Sequence, residues 1–239
     1  MNANNATFAI RTSETSFAMN IYAANTALEQ LVQADRNLFS TLNGWCSPFG
    51  DAVMPVITHP LTGVPIYIFI FWLIFRKFYN SNHEHSNFSC NGGNTVWFRT
   101  GRFWMLFASI AAVVATFGLC DFGSAEFFKY TICRLRPCHD PLMMDNIRLL
   151  EDAGGLYGFV SSHAANLFGL ALISSLIIKN RWFSCFIFIW AALVGYSRVY
   201  VGKHFPGDVI CGALYGLIAA MLVYYVYTIA VKYIRKINK

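Results

Sequence analysis

Long apolar runs without a single Asp, Glu, Lys or Arg recur along this chain, and they constrain its fold more than any other feature. A helix crosses the hydrocarbon core of a bilayer with about 20 mostly apolar residues, because no water is there to satisfy open backbone. The 24 residues between Asp51 and Arg76 carry one histidine, His59, and no charge. Pro55, Pro60 and Pro65 crowd their first half, so regular helix is predicted to begin near Gly63 or Val64. Further spans run from Phe103 to Cys120, from Ala164 to Ile178, from Trp182 to Tyr196, and from Pro206, a favoured first helical residue, to Val231. The second is expected to continue as helix through Asp121, Glu126 and Lys129 at the membrane boundary. Only 13% of the 239 residues are charged, against about a quarter in soluble domains, too few to cover such a surface in water.

These spans predict an all-α, polytopic membrane helical bundle of about five to six transmembrane helices. Ahead of them, Leu28, Leu31, Val32, Leu38, Phe39 and Leu42 recur at helical spacing among Glu29, Gln33 and Asp35. That pattern reads as an N-terminal amphipathic helix, either lying on the membrane surface or packed against the bundle. The expected division is therefore an N-terminal segment, 1–50, and a transmembrane domain, 51–239. The first 45 residues lack the basic start and apolar core of a signal peptide, so no cleavage is expected. Tyr79 to Asn94, rich in Asn, Ser, Gly and His, reads as a flexible loop with His83 and His85 solvated. Seven cysteines without paired spacing exclude a disulfide-stapled secreted module.

Five spans alternate sides, so the loops divide between two faces. One collects Arg76, Lys77, Arg99, Arg102, Lys179, Arg181, Lys232, Arg235, Lys236 and Lys239, ten basic residues. The other takes Lys129, Arg134, Arg136, Arg148, Arg198 and Lys203, six, besides Arg11 and Arg36 of the N-terminal segment. By the positive-inside rule the first face is cytoplasmic. Basic residues in short flanks between apolar runs are topology signals and not a phosphate-tracking stripe, so no nucleic acid partner is expected despite the net charge of +6.

Polar groups at membrane depth are costly and point to a functional site. Three clusters fall on the non-cytoplasmic side: Lys129, Arg134, Arg136, Pro137 and His139; Ser161, Ser162 and His163; and Ser197, Arg198, Lys203, His204 and Asp208. Guanidinium forks match phosphate oxygens and lysine adds a point charge, so Lys129, Arg136 and Arg198 make a cage for a tetrahedral dianion. His204 with Asp208 four residues on looks like a nucleophile or base with its orienting carboxylate, and His163 like an acid for the leaving oxygen. The bland alternatives are snorkelling cations, helix-capping serines and histidines in helix packing. A metal site is not expected, because three cations would repel the ion and zinc wants a tighter ligand group. Gly212 and Gly216 form a small-xxx-small pair suited to helix packing within the chain, and Tyr224, Tyr225 and Tyr227 suit an interfacial aromatic belt. An anion or lipid transporter is the non-enzymatic alternative, disfavoured because the charges sit at one face and not at mid-membrane.

The spacing of the clusters resembles the type 2 phosphatidic acid phosphatase family. Its first motif, lysine, six residues, then Arg-Pro, is matched by Lys129 and Arg136-Pro137. Its third, Ser-Arg, five residues, histidine, three residues, aspartate, is matched by Ser197-Arg198, His204 and Asp208. Its second, Pro-Ser-Gly-His, reads here Val160-Ser161-Ser162-His163, with valine for proline and serine for glycine. The resemblance, from about Phe103 to Val231, implies phosphate ester or anhydride hydrolysis without metal or cofactor. In it His204 attacks phosphorus, Asp208 orients it, and His163 protonates the leaving group and later activates water. Lys129, Arg136, Arg198, Ser161 and Ser162 bind the phosphoryl oxygens. The implied partners are a phosphorylated lipid and the bilayer, with no obligate protein partner, in a bacterial cytoplasmic membrane with the site facing outward. Undecaprenyl diphosphate is slightly preferred over lipid A as substrate. Phosphatidylglycerol phosphate, phosphatidate and transfer to an acceptor lipid are the alternatives. Cys138 to Phe159 is expected to roof the site, and Cys133 and Cys138 are read as free thiols.

Overall fold

The computed structural model describes residues 25–80 and 101–238. Helix α1 covers 25–44. Helix α2, Pro48–Thr58, starts on the Ser47 hydroxyl, which accepts the Gly50 N–H. A 3-10 turn, Pro60–Gly63, leads into α3, Val64–Asn80, so regular helix begins where the prolines predict. Helix α4, Arg102–Phe122, continues through a π-helical stretch, Gly123–Lys129, and a last turn, Tyr130–Ile132. Asp121, Glu126 and Lys129 therefore stand on continuous helix, as expected. Helix α5 is Ser162–Ile178, α6 is Arg181–Tyr200 and α7 is Pro206–Ile237. Among the described residues there is no strand, only an isolated bridge between Leu135 and Tyr157.

Four segments, Pro60–Tyr79, Arg102–Ile132, Arg181–Tyr200 and Pro206–Ile237, are long and apolar enough to cross a membrane. The remaining expected span, the third in chain order and here α5, has 17 residues, a rise of about 25 Å against the roughly 30 Å hydrocarbon core. It is the central helix, packed against α3, α4, α6 and α7, with Ala164, Leu167, Ala171, Ile173 and Ile177 buried. The main core joins Ile70 and Ile74 of α3, Leu106 and Val113 of α4, Leu170 and Ile173 of α5, and Ile187 and Val194 of α6. Outward, Phe69, Trp72, Ile218, Leu222 and Ile229 stay exposed, as a lipid-facing surface requires.

Helices α5 and α7 approach closely through the small-residue pair. A Cβ on Gly216 would lie 2.1 Å from the Ala165 carbonyl oxygen, and one on Gly212 2.5 Å from that of Ser161. The tyrosine belt needs correction. Tyr225 is exposed, but Tyr224 and Tyr227 pack on the core, and the Tyr227 hydroxyl meets Ser109 Oγ at 3.0 Å, because α7 turns that side of its last turns toward α4.

Helix α1 packs against the bundle, the second of its two predicted placements. Phe39 is fully buried edge-on against Phe205, and Asn43 Nδ2 donates to the carbonyls of Arg148 and Tyr200. Leu28, Leu31 and Leu38 remain exposed on its outer side. The predicted loop with His83 and His85 lies outside the described residues from 81 onward, as does the chain before residue 25.

Candidate active site

The junction of α6 and α7 is built by a tight turn. Gly202 takes φ +86°, and a Cβ there would sit 2.7 Å from the Arg148 carbonyl oxygen, so both conformation and space call for glycine. The Lys203 and His204 N–H groups both donate to the Arg198 carbonyl, at 3.0 and 3.2 Å. Pro206 then opens α7, which leaves His204 just outside the helix and Asp208 in its first turn. Both are buried, His204 2% exposed and Asp208 0%. Asp208 Oδ2 accepts the Phe205 N–H at 3.0 Å and stands 3.6 Å from His204 Nδ1, while Oδ1 accepts from Arg134 Nη1 at 2.8 Å. The 3.6 Å approach is longer than a hydrogen bond, and Nδ1 has no partner among the described residues. Contacts of this kind tighten when substrate fills the site. Burial pushes the His204 imidazole down to about 4 against the opposing pull of Asp208, so at neutral pH it keeps a free lone pair.

The cations come from three directions. Arg198, 5% exposed, donates to the Thr58 hydroxyl from Nη1 and lies 3.6 Å from Glu151 Oε2, which also takes Lys203 Nζ at 2.7 Å. Lys129 Nζ donates to Ser162 Oγ at 2.9 Å, and Ser124 Oγ meets the same oxygen at 2.8 Å. The serine that replaces the expected glycine thus steers the lysine. Arg136 Nε donates to the Tyr157 carbonyl at 3.3 Å, and burial holds its guanidinium below the usual pKa. Lys129, Arg136 and Arg198 lie within Coulombic range of one another, and His163 within that range of Lys129, Arg198 and His204. Buried Ser161 caps α5, its Oγ 3.5 Å from the Ala164 nitrogen, and its N–H donates to the Asp208 carbonyl at 3.0 Å, tying the second motif to the third.

A cavity of about 740 Å³ opens on this cluster, lined by His163, Arg198, Lys203, Glu151, Asp152 and the turn from Thr58 to Thr62. His204, Lys129 and Arg136 do not line it. A second cavity, about 230 Å³, shares Thr58, His59 and His163 and continues past Ser162 to Tyr67, Phe117, Leu167 and Trp190. A third, about 260 Å³, extends from Tyr67 and Phe117 to Ile70, Val113 and Leu170. The polar pocket therefore borders an apolar path that descends between α3, α4 and α5. Among the described residues no three His, Cys, Asp or Glu side chains gather as a metal site. Cys133 and Cys138 are both free.

The family model described as the PAP2 superfamily matches residues 102–232, more than half of the chain and all three motifs. The chain belongs to the PAP2 superfamily. It is a multi-pass membrane lipid phosphatase of the PAP2 type. The lipid A 4'-phosphatase of Porphyromonas gingivalis is 35% identical over 205 residues, 85% of this chain and 77% of that protein. The lipid A 4'-phosphatase of Bacteroides thetaiotaomicron is 29% identical over 202 residues, 83% of this chain and 79% of that one. The crystal structure of Aquifex aeolicus LpxE shares the fold, with a TM-score of 0.53 over 79% of this chain and 93% of that one at 24% identity.

Around the PAP2 motifs the structure adds residues that lie outside the matched motif positions. Thr58, Glu151 and Lys203 contact or flank Arg198, and Arg134 holds Asp208. Lys203 and Arg134 stood inside recognised clusters, so position alone had signalled them. Thr58 and Glu151 lie in segments distant in sequence and carried no motif. The roof is as expected: the segment after Arg136 folds back so that Arg136 and Leu156, and Gly158 and Arg134, pair through backbone bonds, and Glu151 and Asp152 face the cavity.

Proposed function

We propose that this PAP2 phosphatase removes a phosphate monoester from the sugar headgroup of a lipid of the lipid A type, at the outer face of the cytoplasmic membrane. His204 attacks phosphorus, and the P–O bond to the leaving group breaks as the N–P bond forms. His163 gives its proton to the departing oxygen, then takes one from the water that attacks the phosphohistidine, releasing inorganic phosphate and a neutral His204. Asp208 accepts the Nδ1 proton of His204 as a hydrogen bond and keeps the other nitrogen free to attack. Arg136, Arg198 and Lys129, with Ser161 and Ser162, hold the equatorial oxygens and stabilise the charge of the five-coordinate transition state.

The observation that carries this reading is that the polar pocket at His163 and Arg198 shares Thr58, His59 and His163 with a cavity that runs to Tyr67 and Phe117, which in turn line the apolar cavity at Ile70. A phosphate would enter the first while its acyl chains stay in the second. The sequence leans slightly to undecaprenyl diphosphate. Two features favour the sugar monoester instead: relatives matched over most of the chain are lipid A 4'-phosphatases, and Glu151 and Asp152 on the pocket wall repel a second phosphate while accepting sugar hydroxyls. The outward orientation is supported by the ten-to-six basic asymmetry of the loops.

The test is phosphate release in detergent from lipid A, undecaprenyl diphosphate, phosphatidylglycerol phosphate and phosphatidate, with and without EDTA and with His204→Ala alongside. Lipid A is expected to be preferred, EDTA to be without effect and the variant to be inactive. Preference for the diphosphate would overturn the substrate assignment, and full activity of His204→Ala the roles.

A further inference from the structure

We propose that Asp35 and Arg134 are positioning residues of the reaction: through them the N-terminal helix α1 sets the orientation of Asp208 and, through it, of His204. This rests on the phosphatase reading above, but the two residues lie outside the matched motif positions. Asp35 also precedes the family match, which begins at residue 102.

The geometry is a chain of charges that crosses three elements. Arg134, in the loop after α4, spends its two terminal nitrogens on two carboxylates. Nη1 reaches Asp208 Oδ1 at 2.8 Å and Nη2 reaches Asp35 Oδ2 at 2.6 Å. Its planar fork fixes the angle between those partners, which an ammonium cannot do. The guanidinium is seated over the Phe205 ring, 4.3 Å from its centroid, and Phe205 is the residue whose N–H holds the other oxygen of Asp208. Asp35 is itself held, because Oδ1 accepts the Gly207 N–H at 2.8 Å in the first turn of α7. A Cβ on Gly207 would come within 2.7 Å of the Asp35 carboxylate, so α1 and α7 meet there without spare room.

The Asp208 carboxylate can turn about its own bonds. With only the Phe205 N–H attached, it would be free to rotate away from His204. The Arg134 contact on Oδ1 removes that freedom and points Oδ2 at the imidazole, 3.6 Å away. Because Asp208 is fully buried, no water competes for Oδ1, and loss of Arg134 leaves that oxygen without a partner. Further along α1, Arg36 binds Asp140 at 2.8 Å, so the same helix also anchors the roof of the site.

The experiment uses the full chain in detergent, with kcat and KM measured on phosphorylated lipid for wild type, Arg134→Ala, Arg134→Lys and Asp35→Asn. Arg134→Ala is expected to lower kcat roughly tenfold to a hundredfold, the range carried by outer partners of catalytic groups, with KM within about twofold. Guanidinium ion added at millimolar concentration is expected to restore part of that rate and to restore nothing in His204→Ala. Asp35→Asn is expected to lower kcat in the same sense by a smaller factor. Unchanged kcat in Arg134→Ala, a loss confined to KM, or a loss that guanidinium does not rescue would overturn the proposal. If Arg134→Ala does not yield a monodisperse protein, Arg134→Lys decides: it keeps the charge but not the fork, and wild-type kcat in it refutes the positioning role. A wild-type protein that releases no phosphate would instead refute the phosphatase reading.

Discussion

Gly212 brings α7 against the backbone of the candidate motif residue Ser161, and Gly212→Ala turns that approach into a measurement. The new Cβ would stand 2.5 Å from the Ser161 carbonyl oxygen and 3.3 Å from the Ala164 side chain. Ordinary contact begins at 3.4 Å, so the helices must separate by up to 0.9 Å at that level. The obstacle is backbone on the first turn of α5, and no rotamer change relieves it. Overpacking costs about 1–3 kcal/mol, with a backbone clash at the top of that range, and the better helix former returns about 1 kcal/mol, leaving a net loss of about 2 kcal/mol. The larger effect falls on chemistry. Ser161 to His163 open α5 while Asp208 and His204 sit at the start of α7, so separating the helices parts the two histidines. A displacement near 1 Å between reacting groups costs on the order of a hundredfold in rate. The assay is phosphate release together with a thermal melt in detergent, with Gly118→Ala as control, since a Cβ at Gly118 meets nothing within 4 Å. Gly118→Ala is expected to match wild type in activity. Wild-type rate and melting in Gly212→Ala would refute the claim that α5–α7 contact sets the catalytic distance.

Glu151 lies against both Arg198 and Lys203, so it is expected to compete with phosphate for them. Glu151→Gln is expected to tighten inhibition by orthophosphate severalfold, and weaker inhibition would show that the carboxylate does not compete. Because burial holds His204 near 4, a free imidazole in the unfolded chain binds protons that the folded one refuses. The resulting penalty is absent above about pH 6.5, grows as pH falls and is complete below about 4, so melting temperature is expected to drop from pH 7 to pH 5. His204→Asn should flatten that drop, and an unchanged slope would count against it. Gly202→Ala combines positive φ with a 2.7 Å approach to the Arg148 carbonyl, and is expected to destabilise by about 1–3 kcal/mol and displace His204, read as lost activity with lowered melting temperature.

Much of this protein was legible in one dimension. Bilayer thickness demands about 20 apolar residues per span, which made the helices visible as gaps between charges, and proline fixed where α3 and α7 begin. The candidate set Lys129, Arg136, Ser161, Ser162, His163, Arg198, His204 and Asp208 stands out in the sequence because charged groups at membrane depth are unusual and because motif spacing is local. What the sequence left open depended on distance between remote segments. Whether α1 lay on lipid or on the bundle was undecided, since an amphipathic stripe suits either surface. Tyr227 turns inward to a partner, Ser109, that lies more than 100 residues away in the chain, and Tyr224 packs on the same core. Only the tertiary structure brought Thr58 and Glu151 to Arg198, Ser162 to Lys129, and Asp35 through Arg134 to Asp208. Hydrophobic periodicity acts within one helix and is written in the order of residues. A buried ion pair between segments exists only where packing has removed the water that would otherwise screen it.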